Sequence, residues 1–124
     1  MNILLDRTVV KGDDQEQFHV GIFEVNSLTD ISHIISHNTT FNGLGDFRIL
    51  LKGKESLCLI SNPHFSPEPD YIEITLFNLS SDMISFLDDV LHNNDLLLEG
   101  DRVFKLIQDG VDYATAADFV WGEV

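Results

Sequence analysis

His33 and His37 stand four residues apart, a spacing that brings two imidazoles to one side of a helix and lets them share a metal ion. No Glu follows His33, so the zinc-protease pattern is absent. A metal centre would also need a third ligand. His64 and His92 are isolated in the sequence and could supply one only through the fold. Asp88 and Asp89 are adjacent, which sets them about 100° apart on a helix rather than face to face. Acid–base catalysis by two carboxylates needs one of them raised in an apolar pocket, so these two are expected to be solvated helix charges. Cys58 alternates with Leu57 and Leu59 and has no nucleophile elbow around it, so a packed thiol is expected. Gly43-Leu44-Gly45 lacks a third glycine and a preceding strand, which makes it a turn rather than a phosphate loop. Asp13 to Glu16 lacks the spacing and the glycine of a calcium loop. No catalytic residue, metal site or cofactor motif emerges, and the chain is expected not to be an enzyme.

Charge is the feature that stands out. Seven Lys and Arg against 21 Asp and Glu leave a formal charge of −14 over 124 residues. A field of that sign repels nucleic acid and anionic membrane and steers a basic partner inward. The surplus is uneven. Residues 1 to 67 carry eight acids and five bases, net −3, whereas residues 68 to 124 carry thirteen acids and two bases, net −11. Tyr71, Tyr113, Phe119 and Trp121 lie among the later acids. Acids around Tyr and Trp anchors are the make-up expected of a surface that grips a basic protein. The alternative is an acidic exterior with those rings in the core. The expected contact residues are Asp109, Asp112, Tyr113, Asp118 and Trp121, then Asp88, Asp89 and Asp95. Asp82 is expected to be committed to its helix.

An enzyme that handles phosphates must present Lys and Arg, so an acidic protein can occupy the same groove. In size, acidity and missing active-site motif the chain is similar to bacterial immunity proteins, including those of contact-dependent inhibition systems. It is therefore expected to neutralise a basic partner, such as a toxin nuclease, without binding nucleic acid or membrane itself. A phage-encoded DNA mimic acting on CRISPR or restriction enzymes would use the same physics. A metal-dependent enzyme or metal-binding module built on His33 and His37 is the reading from a different class.

The elements that must position these residues centre on YIEITLFN and LSSDMISFLDDVLHNN, a strand feeding a helix. Tyr71, Ile72, Ile74, Leu76 and Phe77 suit a pleated sheet. Ser80 stands at an N-cap, and Met83, Ile84, Leu87, Val90 and Leu91 recur at helical spacing. Upstream, Met1 to Val10 reads as a strand, KGDDQEQ as a polar turn, and FHVGIFEV as a second strand buried on both faces near its end. Ser27 with Asp30 resembles a capping box that opens a helix from Leu28 to His37. HNTTFNGLGD is a loop; Phe47 to Lys52 and Ser56 to Ser61 form a hairpin; NPHFSPEPD, with all three prolines, is an irregular loop. LLLE and RVFKL around Gly100-Asp101 read as a last hairpin, with a helix over Arg102 to Gln108 as the alternative. DYATAADFVW favours a closing helix after Gly110.

These elements predict one α+β domain over residues 1–124, with a mainly antiparallel sheet of about five to seven strands and two to three helices. A single cysteine permits no internal disulfide and suits a reducing compartment. MNILLDRTVV lacks the basic start of a secretory signal and no apolar run is long enough to span a bilayer, so a cytoplasmic location is expected.

Overall fold

A computed structural model describes residues 1–38, 47–61 and 70–122. The expected loops across 39–46 and 62–69, the Gly43–Gly45 pair and His64 lie outside them. Among the described residues there are five strands and four helices, in the order β1 (Asn2–Lys11), β2 (Asp14–Glu24), α1 (Leu28–Asn38), β3 (Phe47–Leu51), β4 (Leu57–Ser61), β5 (Asp70–Leu76), α2 (Ser81–His92), α3 (Gly100–Gln108) and α4 (Tyr113–Trp121). A single 3-10 turn, Asn94–Leu97, joins α2 to α3. The strands make one antiparallel sheet in the order β2-β1-β5-β4-β3. The fold is α+β.

Register explains how one side of this sheet becomes the core. Ile3 and Leu5 of β1 face Leu76 and Ile74 of β5, which face Leu57 and Leu59 of β4. All six are buried in one cluster with Leu28, Ile31 and Ile35 of α1, Met83, Phe86, Leu87 and Val90 of α2, Val103, Phe104 and Ile107 of α3, and Ala116 and Val120 of α4. Alternation sends Asp6, Thr75 and Cys58 to the opposite side of the sheet. Phe86 is fully buried at the centre of the helical layer, edge-on to Phe104 at 6.1 Å. Trimming it to Ala would cost about 3–5 kcal/mol.

The expected caps are in place. Ser80 Oγ accepts from the Met83 N–H at 3.1 Å, and Ser27 Oγ accepts from the Asp30 N–H at 3.0 Å, opening α2 and α1. The Asp30 carboxylate reaches back to the Asn26 N–H at 2.8 Å, one residue before the usual capping-box partner.

Three expectations need correction. The β1–β2 hairpin turns on Gly12-Asp13 alone, so most of KGDDQEQ is strand. Moreover, β2 is an edge strand, and Phe18, Val20 and Ile22 are exposed rather than buried. The final hairpin does not exist: Arg102 to Gln108 belong to α3, which brings the helix count to four. Burial decides that point, because Val103, Phe104 and Ile107 all enter the core, a helical pattern that no strand could match. Gly100, read as a turn residue, instead lets α3 approach α1, since a Cβ there would stand 2.7 Å from Leu28 Cδ1. Gly110 ends α3 at φ +98. The N–H of Gly110 donates to the Ile107 carbonyl at 3.0 Å and that of Val111 to the Leu106 carbonyl at 2.9 Å, a Schellman closure that favours glycine at this place.

Candidate functional site

The acid-rich surface is built on α2, α3 and α4. Between residues 81 and 122 there are nine Asp and Glu against one Arg and one Lys, net −7. Both cations already meet an acid on their own segment: Arg102 faces Glu99 at 3.2 Å and Lys105 faces Asp109 at 3.6 Å. The other five Lys and Arg of the chain lie before residue 77.

The expected contact residues divide into two groups. Tyr113, Asp112, Asp89 and Trp121 hold the layer together. Asp112 caps α4, its carboxylate accepting from the Thr115 N–H at 3.0 Å and from the Thr115 hydroxyl, and the Thr115 hydrogen bonds hold its carboxyl below the ordinary value. Tyr113 is half-buried, with its ring 5.9 Å from Phe86 and 6.2 Å from Trp121. Its hydroxyl donates to Asp89 Oδ2 at 2.7 Å. Burial first, then the Asp89 carboxylate, pushes that hydroxyl well above its ordinary pKa. Trp121 stacks on Phe86 at 6.0 Å, and its Nε1–H donates to the Leu98 carbonyl at 2.9 Å.

Asp88, Asp95, Asp109 and Asp118 are exposed. Asp88 has His92 Nδ1 at 3.4 Å, and Asp118 occupies the outer face of α4 with Thr115 and Phe119. Of the α4 rings Phe119 is the exposed one, at 62%, and Leu98, the residue after the 3-10 turn, is 74% exposed. Sequence reasoning placed Phe119 among the aromatics but chose Tyr113 and Trp121 as anchors. Helical spacing held the signal, since Tyr113, Ala117 and Trp121 form one stripe and Phe119 falls off it. Tyr71 lies in β5. Asp82 stands in the first turn of α2, where the helix dipole favours an acid, and its Oδ1 also accepts from the Tyr113 N–H at 3.1 Å, which ties α2 to the start of α4.

His37 Nδ1 lies 2.7 Å from the His33 carbonyl and the two rings meet edge to face at 6.4 Å, both on the exposed side of α1. Among the described residues no three His, Cys, Asp or Glu side chains are grouped to hold a metal ion. Cys58 is fully buried, the Thr75 hydroxyl lies 3.9 Å from its sulfur, and burial pushes its thiol up, which disfavours the thiolate. A carboxylate pair that sequence reasoning missed is Asp6 and Glu73, register partners on β1 and β5. His19 Nδ1 lies against Asp6 and Lys52 faces Glu73 at 3.7 Å, so each acid has a nitrogen partner of its own. Strand pairing was the information needed to find it. A pocket of about 390 Å³ lies between the β5–α2 turn and the end of α3, bordered by Phe77, Asn78, Met83, Ile107 and Gln108, with no acidic or basic side chain in its lining.

No protein-family model, curated protein or solved structure matches this chain. Among the described residues no helix is long and apolar enough to cross a membrane.

Proposed function

We propose that this chain is a small acidic inhibitor that binds a basic protein, of the kind an immunity protein presents to a toxin nuclease, and blocks its cationic groove. One observation carries the reading: the α2–α4 layer holds nine acids against two cations, and each of those cations already faces an acid on its own segment. The layer therefore has no positive charge left over, and its field is available to an incoming cationic surface. Exposed ion pairs of this type contribute little to stability, so pairing with Arg102 and Lys105 does not account for Glu99 and Asp109.

Asp88, Asp95, Asp109 and Asp118 supply the field, and Phe119 is the apolar anchor among them. Tyr113, Asp89, Asp112 and Trp121 position α4 by internal hydrogen bonds and ring contacts, which keeps the face rigid and lowers the ordering cost on binding.

The test is affinity capture from the source cell at low salt, using the wild-type chain beside an Asp109→Lys, Asp118→Lys double variant. A basic protein held by the first and lost by the second is expected, and its enzymatic activity should fall to zero at one equivalent of inhibitor. Equal capture by both chains would contradict the proposal.

A further inference from the structure

The sheet has one long open edge. β2 is hydrogen-bonded to β1 only, and among the described residues no strand pairs with its outer side. Native edges are ordinarily blunted by shortness, by Lys or by Pro. The opposite edge, β3, has five residues, but β2 has eleven and contains no Lys, Arg or Pro. Its one irregularity is Val20, which has no partner because His19 pairs with Asp6 and Gly21 with Leu5. Ahead of that bulge the alternation of a strand puts Asp14, Glu16 and Phe18 on one face. All three are exposed, Phe18 at 48%. Asp13 in the turn and Glu24 at the strand end add two further acids. Across the pair on β1, Arg7 stands opposite Phe18 and Lys11 opposite Asp14, so the Lys and Arg of this hairpin lie on its inner strand.

We propose that the outer edge of β2 along Asp14–His19 accepts an extended cationic segment of another protein as a sixth strand. Backbone hydrogen bonds supply the register, and side chains at alternate positions supply the choice of partner. Two Lys or Arg lie against Asp14 and Glu16, and an apolar side chain two positions on covers Phe18. A second copy of the chain is the wrong occupant, because it brings a further charge of −14 to an edge that is already acidic. This inference does not rest on the carboxylates of α2–α4, and either can fail without the other.

The probe is a capped peptide, Thr-Phe-Thr-Lys-Thr-Lys, with its Lys residues replaced by Glu as a control, titrated at millimolar concentration into isotope-labelled protein. Amide resonances of Asp14–His19 should shift with the Lys peptide and not with the Glu peptide. Glu16→Lys, an exposed substitution, should weaken binding about tenfold, whereas Asp118→Lys on α4 should leave it unchanged. Shifts confined to α2 and α4, or none at all in β2, would overturn the proposal. So would concentration-dependent dimerisation abolished by Phe18→Lys, since the edge would then belong to a second copy.

Discussion

Asp101, at the start of α3, accepts a hydrogen bond from the backbone N–H of Leu28 at 2.7 Å, and so holds the first turn of α1 across 73 residues of sequence. The same carboxylate accepts from the Thr29 N–H at 3.3 Å and from the Thr29 hydroxyl. One side chain therefore satisfies two N–H groups that α1 cannot pair internally, at the end of the helix dipole where negative charge is favoured. This acid stabilises the fold as well as adding to the negative charge of the helical layer.

Replacing Asp101 by Ala should accordingly lower stability by about 1 kcal/mol, the usual cost of losing an N-terminal cap. Urea unfolding followed by far-UV circular dichroism checks this, with Asp101→Asn expected to lie between the two because it keeps the acceptor and loses the charge.

The Tyr113 hydroxyl makes a second prediction, on the alkaline side. Its folded pKa stands above the ordinary value of 10.0, because burial and the Asp89 carboxylate favour the neutral form. A raised folded pKa gives stability that is complete below the unfolded value and is lost as pH rises past it, since the unfolded chain then releases a proton that the folded chain keeps. The urea midpoint of the wild-type protein should therefore fall above pH 10 more steeply than that of Tyr113→Phe. Parallel profiles for the two would show that the hydroxyl does not titrate differently on folding.

Cys58 supplies a third. With its thiol buried and raised, reaction with an aromatic disulfide reagent should be negligible in native protein and stoichiometric in denaturant. Fast native labelling would place the thiol on an accessible, activated surface instead.

Local chemistry was legible where one element decides its own structure. Ser80 and Ser27 announced their caps, and β5 and α2 were readable from period alone. What required tertiary contacts was hidden. RVFKLIQ supports either a strand or a helix until α1 offers its N-terminus to Asp101, at which point Gly100-Asp101 opens a helix rather than turning a hairpin. Phe18 and Ile22 looked like core residues because the sequence does not say which strand ends up at the edge. The same limit applied to the acidic face. Counting charges located the surplus in residues 68–124, but only packing against Phe86 separates Tyr113 and Trp121, which hold α4, from Phe119, which faces solvent.

The central claim is that the exposed carboxylates of α2–α4 steer a cationic protein, and the association rate with the captured partner tests it most directly. Stopped-flow mixing at low ionic strength should give a rate that declines as salt is added, and Asp109→Lys with Asp118→Lys should slow it about tenfold while changing dissociation far less. Association rates that are the same for both proteins and indifferent to salt would contradict the account.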